Sequence, residues 1–598
     1  MLSRQCAVSL SRRGLAVSAS ALKSAPQKFV RGKFHDYQPT VPFSTTPQRW
    51  KSTISVEDQH NNVGTQQVSS DNGNNNRKGK LPIPDFSDAK AAYESKTTLE
   101  LLRAMVVFQL CRIPILVRNS DSLLHYSRKI VGGTIQDALL RATLFGHFCA
   151  GEDEKRIEPV IKNMEKNGIG SILDYAHEDD GSGQEDNDKK TETIDVDTIF
   201  HEANPKVRLY DYESEAQCDR HVETFKSCIN AVKNLEADGY AAMKVTALGN
   251  PKLLEKMSRA LREVKNLYSK FDMDNDGFIS RDEFERGYKF FFKDSPTDLD
   301  EMFELLDPEK TGRVDFITWS MMLTPSDLPR ITSKCREVGP LALVSPTEEE
   351  VELMEAMFNR GHQLAQEAAK CGTRLLIDAE QARFQPAIDN LVLDLQRTYN
   401  AASKSDSPIV YNTYQCYLKD ASENIRTDME RAERHDYHFG AKLVRGAYME
   451  GERALAESLG YPSPIHDTIQ DTHNCYNDAV EYLLNQSATS DKKVEIMVAS
   501  HNQESIEKAI ATMDKLGIDP QASTICFAQL YGMTDNLTYN LGQNGFRAYK
   551  YVPYGEVGEV MPYLVRRAKE NSAITGGAAK ELDMIRRELK RRIGFASA

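Results

Sequence analysis

In the C-terminal stretch MPYLVRRAKENS, Tyr563, Arg566 and Arg567 stand at positions i, i+3 and i+4, so a helix here carries all three on one face. Adjacent guanidinium groups repel each other, and a pair kept together suits an anion held by charge-assisted forks. Other chemistry-bearing side chains follow short apolar runs: Lys244, Asp378, Gln415, Arg445 with Tyr448, His501 with Asn502, and Tyr551. Together they offer cations, aromatic walls, one acid and groups able to hydrogen-bond a ring. Such a set clamps a small carboxylate while the aromatics enclose an apolar ring, and its cations equally suit a cofactor phosphate.

These side chains need elements that bring them together. Short apolar runs occur at GIGSILDYA (168–176), YAAMKVTAL (240–248), TRLLIDAE (373–380), IVYNTYQ (409–415), GAKLVRGAY (440–448), VEIMVASH (494–501), TICFAQL (524–530) and RAYKYVPYG (547–555). Most are followed by a helical pattern, and eight is the number that an α/β fold of the (βα)8 barrel type requires. The C-terminal strand ends form the active face of that fold, so reactive residues that end the runs converge on one pocket. Taken singly, each reads as a structural polar residue; their coincidence across strands favours a site.

One segment departs from the alternation. FDMDNDGFISRDEF places Asp272, Asp274, Asp276, Phe278, Ser280 and Glu283 at loop positions 1, 3, 5, 7, 9 and 12 of a calcium-binding EF-hand, with Gly277 at the sharp turn. Carboxylates, the Phe278 carbonyl and a bidentate Glu283 are what one calcium ion needs. A second loop begins at Asp307 with Gly312 at position 6, but Thr318 at position 12 cannot close a shell, so it reads as a structural partner. The spacing predicts an inserted α-helical EF-hand pair over 256–325, after the second barrel strand.

The remaining sequence bounds the function. With 598 residues, 40% of them hydrophobic, the chain can bury a large core, and a net charge of −13 argues against a grip on nucleic acid. LLRAMVVFQLCRIPILV is interrupted by Arg103, Gln109, Arg112 and Pro114, so it reads as a core or interfacial helix rather than a membrane span. Ten scattered cysteines without C-x-x-C suit a reducing compartment. Residues 1–50 are basic, rich in Ser and Ala, and free of acids until Asp36, the composition of a mitochondrial transit peptide; a merely basic tail is the plainer alternative. Residues 51–88 read as a disordered linker, and 177–195 as a solvated loop. The barrel is then expected over 89–255 and 326–598. No G-x-G-x-x-G follows a strand, and neither a Walker loop nor a G-x-S-x-G elbow occurs. The cluster HDYH at 435–438 reads as ordinary surface histidines.

The motifs YNTYQCYLKD, AKLVRGAY, VASHN, and YVPYG followed by PYLVRRAKENS closely resemble the mitochondrial proline dehydrogenase (proline oxidase) family, over most of the chain from about 90 onward. The resemblance implies a flavoenzyme barrel with FAD at its C-terminal mouth, which accounts for the missing dinucleotide fingerprint. By motif, Gln415, Lys442, Arg445, Gly446, Ala447, Ser500, His501, Asn502 and Glu570 would contact the flavin. Lys244, Asp378, Tyr448, Tyr551, Tyr563, Arg566 and Arg567 would form the substrate pocket. It further implies oxidation of L-proline to 1-pyrroline-5-carboxylate, ubiquinone as acceptor, and a matrix enzyme in peripheral contact with the mitochondrial inner membrane. Two departures stand out: Lys442 replaces the arginine usual in bacterial members, and the complete EF-hand interrupts the barrel. The alternatives are a hydroxyproline dehydrogenase, a Schiff-base aldolase using Lys244, and a calcium-sensing scaffold with an inert barrel.

Overall fold

The computed structural model describes residues 81–176, 212–235, 238–320, 323–573 and 577–594. The expected transit peptide, the linker up to residue 80 and the loop at 177–195 lie outside the described residues.

The eight apolar runs are all strands: β1 (Ile169–Tyr175), β2 (Tyr240–Met243), β5 (Arg374–Ile377), β6 (Val410–Gln415), β7 (Phe439–Val444), β8 (Val494–Ala499), β9 (Ile525–Leu530) and β10 (Ala548–Tyr554). All their pairings are parallel, and they close into a barrel in the order β1-β10-β9-β8-β7-β6-β5-β2. Nearly every strand residue is buried, as parallel strands covered on both faces must be. Inside, Ile172, Tyr240, Leu376, Tyr411, Met497 and Tyr549 belong to one plug. Tyr240 meets the edges of Tyr411 and Tyr549 at centroid distances of 5.6 and 5.1 Å, which fills the lumen with stiff side chains. Outside, the helices bury Leu364, Leu391, Leu483 and Ile510 in the main core.

Two strands end sooner than their runs suggest. β2 stops at Met243 because Val245–Ala247 turn into a 3-10 helix, and β5 stops at Ile377. Lys244 and Asp378 therefore stand one residue past their strands, on the rim where loops can aim them.

The linker expected to reach residue 88 stops earlier. The Leu81 N–H donates to Asp514 at 2.8 Å, Phe86 is buried in the main core, and its carbonyl accepts from Asn536 at 3.1 Å. LPIPDF has apolar anchors that the Asn- and Gln-rich stretch before it lacks. Helices Ala89–Tyr93 and Thr98–Cys111 follow and pack on the C-terminal helix Gly577–Arg592 through Tyr93, Leu101, Phe108 and Ile585. A buried cluster ties this layer to the barrel: Asp535 meets Lys550 at 2.8 Å and Lys96 at 3.3 Å.

Between β2 and the helix Glu348–Cys371 lie two helix–loop–helix units. The first runs Pro251–Phe271, β3 (Phe278–Ser280), Arg281–Phe291; the second runs Pro296–Leu306, β4 (Arg313–Asp315), Phe316–Ser320. β3 and β4 pair antiparallel with Ile279 opposite Val314. The first helix starts at Pro251 rather than 256, because Asn250 caps it and proline suits its first turn. Its inward residues Leu254 and Met257 belong to the same core as Leu391, and Phe271, Phe284 and Phe303 continue that core into the paired units. The paired units are thus packed into the barrel's helical shell.

Candidate active site at the barrel mouth

Asp378, just beyond β5, lies at the centre. Its carboxylate is bound by the Lys442 ammonium from β7 and accepts from the Tyr551 hydroxyl of β10 at 2.9 Å. Burial alone would raise its pKa, but the ammonium groups of Lys442 and Lys244 outweigh that and hold it below the ordinary aspartate value. Lys442 also lies 5.6 Å from the centre of the Tyr551 ring. Lys244 approaches Asp174, at the end of β1, at 3.6 Å. Asp174 went unremarked in the sequence, although it ends an apolar run as Asp378 does. Glu380 was missed too: it is buried, accepts from the Thr246 hydroxyl at 2.6 Å and N–H at 3.1 Å, and its carbonyl accepts from Gln415 at 2.9 Å.

A second group gathers beyond β7 and β8. The Arg445 guanidinium donates to Ser500 and Ser505 hydroxyls, each at 2.8 Å, and to His473 at 3.0 Å, and it stacks 4.4 Å from the Tyr476 ring centre. Ser500 also accepts the Asn502 N–H at 3.1 Å, while the Asn502 side chain caps the helix Gln503–Leu516. Gly446 has φ +135°, and a Cβ there would lie 2.6 Å from the Tyr417 ring, so only glycine fits that bend. Gly446 and Ala447 are exposed on the mouth.

His501 is neutral. Burial, then the cations Lys550, Arg567 and Arg445, push its pKa down to about 3. Its Nε2 accepts the Leu530 N–H at 3.1 Å, and a backbone N–H can only donate, so the ring proton sits on Nδ1. That leaves an N–H donor on the opposite ring nitrogen.

The helix Met561–Ala573 completes the mouth. Arg566 and Arg567 lie 5.8 and 4.9 Å from the Tyr563 ring centre, so the three share a face as their spacing requires. Arg567 pairs with Glu570 at 2.8 Å. The Tyr563 hydroxyl and the Arg567 Nε are buried without a hydrogen-bond partner. A buried donor left unmade costs about 1–3 kcal/mol, so both atoms point to an anionic or acceptor-bearing ligand. Tyr448, at the start of the helix Met449–Leu459, resists ionisation, chiefly through burial and then the nearby Glu380, with Lys244 and Arg566 opposing. These mutual influences make Lys244, Asp378, Tyr448, Tyr551, Tyr563, Arg566 and Arg567 members of one neighbourhood. A recess of about 440 Å³ lies at the opposite rim, lined by Asp238, Arg374 and Lys404, and includes none of them.

In the first helix–loop–helix unit, carboxylate oxygens of Asp272, Asp274 and Asp276 lie within 4.8 Å of one another. Asn275 and Gly277 take positive φ, 58° and 88°, and Lys310 and Gly312 repeat that pattern in the second loop at 55° and 75°. Glu283 turns back onto the loop, accepting N–H groups of Met273 at 2.9 Å and Ser280 at 2.9 Å and the Ser280 hydroxyl at 2.7 Å. Asp272 Oδ1 is buried without a partner, and burial followed by repulsion from its acidic neighbours raises its pKa. Asp307 instead accepts the N–H groups of Thr311 at 2.8 Å and Gly312 at 2.6 Å. The second loop is internally satisfied; the first leaves a buried carboxylate oxygen without a partner.

A closed parallel barrel that gathers cations, aromatic rings and unpartnered donors at its C-terminal mouth has the architecture of a barrel enzyme. Residues 158–580 match the family model for Proline dehydrogenase, and the chain belongs to the proline dehydrogenase family. It is 36% identical over 547 residues to mitochondrial proline dehydrogenase 1 of Homo sapiens, covering 86% of this chain and 90% of that relative. The corresponding protein of Caenorhabditis elegans is 36% identical over 548 residues, covering 85% and 88%. A hydroxyproline dehydrogenase of Bos taurus is 30% identical over 508 residues, covering 84% and 92%.

Proposed function

We propose that this enzyme oxidises L-proline to 1-pyrroline-5-carboxylate in the mitochondrion, with FAD resident at the barrel mouth and ubiquinone as the onward acceptor at the inner membrane. The observation that carries the reading is the shared face of Tyr563, Arg566 and Arg567 over the Lys244, Asp378, Lys442 and Tyr551 cluster, with donors unspent at Tyr563 and Arg567. The mitochondrial part rests on the relatives' names and on the acid-free N-terminus.

The residues fit a flavin. Gln415, Lys442, Arg445, Gly446, Ala447, Ser500, His501, Asn502 and Glu570 would hold it, since cations and neutral donors suit its diphosphate and ring acceptors. When bound, FAD supplies a two-electron acceptor for a hydride from proline C5. The chain's own task is positioning. Arg566, Arg567 and Lys244 meet the carboxylate, and Tyr551, anchored by Asp378, walls the ring. A cationic pocket favours the neutral amine, whose lone pair forms the C5=N bond as hydride departs; the resulting iminium then releases its N–H proton to water to give the imine. The test is the flavin absorbance of the purified protein: proline should bleach it without oxygen, and an unbleached spectrum with bound flavin overturns the reading.

Substrate choice follows from Tyr551. A hydroxyl at C4 has to fit beside a ring held by its bond to Asp378, so proline should exceed 4-hydroxyproline in kcat/KM by about 10- to 200-fold, the range of one small steric misfit. Equal efficiencies would favour the hydroxyproline reading that the bovine relative's name raises.

For the paired helix–loop–helix units, we propose an EF-hand pair whose first loop binds calcium through Asp272, Asp274, Asp276, the Phe278 carbonyl, Ser280 and Glu283. The buried, unpartnered Asp272 oxygen supports it. Calcium at 100 times its Kd should add about 2.7 kcal/mol of stability to the parent, and Glu283→Gln should lose that gain. Coupling to catalysis would appear as a calcium-dependent shift of about 5- to 150-fold in proline affinity in the parent alone. A melting temperature indifferent to calcium overturns the binding; identical turnover curves in both proteins overturn only the coupling.

A further inference from the structure

Twelve of the 24 exposed large hydrophobic side chains among the described residues fall between Leu99 and Leu139. They are densest on three consecutive helices, Pro114–Arg118, Ser120–Val131 and Gly133–Ala142. Ile115, Tyr126, Ile130, Ile135 and Leu139 are 68, 62, 81, 64 and 63% exposed. Tyr126 and Ile130 are four residues apart on one helix, and Ile135 and Leu139 on the next, so each pair shares a face. The hairpin is held in place: buried Gln136 donates to the Leu124 carbonyl at 2.7 Å and to Ser127 at 2.8 Å, and Leu124 and Leu140 pack inward. These apolar faces are therefore fixed outward. A monomer rarely presents a contiguous patch of this kind without a partner surface.

The patch's charge indicates which surface. In a chain of net charge −13, residues 112–142 hold five basic residues against two acidic ones. Arg141 is taken by Glu152 at 2.7 Å, while Arg112, Arg128 and Lys129 are exposed beside the apolar side chains. Outward apolar rings and chains flanked by cations suit an anionic lipid headgroup layer over acyl chains. Among the described residues no helix is long and apolar enough to cross a membrane. The same hairpin packs in one cluster with Tyr563 and Leu564 of the helix that carries the arginine pair.

We propose that the helices of residues 114–142 are a docking face for an anionic bilayer, seating the protein with its barrel mouth near the lipid. This deepens, and rests on, the membrane association proposed above. The test is co-sedimentation of the full chain with phosphatidylcholine vesicles, with and without phosphatidylglycerol. Light scattering and proline oxidation with a soluble dye acceptor accompany it. The parent should bind only the anionic vesicles. Ile130→Ser with Ile135→Ser should lower partitioning by about tenfold per isoleucine, and Arg128→Gln with Lys129→Gln by about fivefold per cation, with dye-linked activity and melting temperature kept in both. Unchanged partitioning in both double variants overturns the proposal, as does a parent dimer that Ile130→Ser with Ile135→Ser converts to monomer, since a second copy would then be the occupant. If vesicle binding follows the pattern while no protein oxidises proline, the docking face stands and the catalytic reading falls.

Discussion

Arg567→Met should raise the KM for proline by about 10- to 150-fold and loosen the flavin, while the protein stays folded. Methionine keeps much of the apolar stem and its packing against Tyr563 but would remove the charge-assisted bond proposed to the substrate carboxylate. Hydrogen bonds to charged groups contribute about 1.5–3 kcal/mol, which sets that range. Arg567 is buried and its Nε has no partner, so a bound anion gains a donor already desolvated. Glu570, its present partner, is 35% exposed at the side chain and can turn to water once the guanidinium is gone, which limits the damage to the fold. Arg566→Met should raise KM with flavin content unchanged, because the proposed site gives Arg566 to the substrate carboxylate and not to the flavin. Steady-state kinetics with flavin stoichiometry separates the two, and an unchanged KM in both variants would move the carboxylate elsewhere.

Asp378→Asn should lower both stability and kcat/KM. The carboxylate compensates Lys442 directly and influences Lys244, and it orients the Tyr551 hydroxyl. Breaking a buried pair from one side leaves an uncompensated charge, at about 3–5 kcal/mol. The informative companion is Lys442→Met. If the pair is the cause, the double variant should recover part of the melting temperature lost by Asp378→Asn, giving a non-additive cycle. Additive losses would show that Asp378 acts through Tyr551 instead. The pH dependence has a definite sign. A folded pKa held below the ordinary value of 3.8 gives stability that is present above that pH and lost as pH falls through the folded pKa. Acid unfolding should therefore begin at a higher pH in Asp378→Asn than in the parent.

Strand positions were legible because each barrel strand is a short, nearly continuous apolar run, and because a polar residue at its end marks the mouth. The i, i+3, i+4 spacing placed Tyr563, Arg566 and Arg567 on one face without any tertiary information. Partner choice was not legible. Nothing local tells Lys442 that its counter-ion is Asp378, or Lys244 that Asp174 approaches it, since these contacts depend on which strands become neighbours around the ring. Glu380 was hidden for a related reason: its acid is used inward, on Thr246, and looks like any loop glutamate. Helix limits slipped where capping outvoted composition, as at Asn250 and Pro251, and the linker limit slipped where a few anchors such as Phe86 sufficed to pin a polar segment.

The barrel closes by pairing Ile169 of β1 with Ala548 of β10, the first strand with the last. β1 finds one neighbour, β2, early, but its other edge waits for a strand made near the end of the chain. Until then it presents open N–H and C=O groups of the kind that template wrong pairings. Closure between such distant segments is slow, and partly folded states with open strand edges aggregate. Yield in refolding should depend on protein concentration and on chaperones more than on final stability. A C-terminal truncation that removes β10 should leave an unclosed, aggregating chain rather than a smaller working barrel.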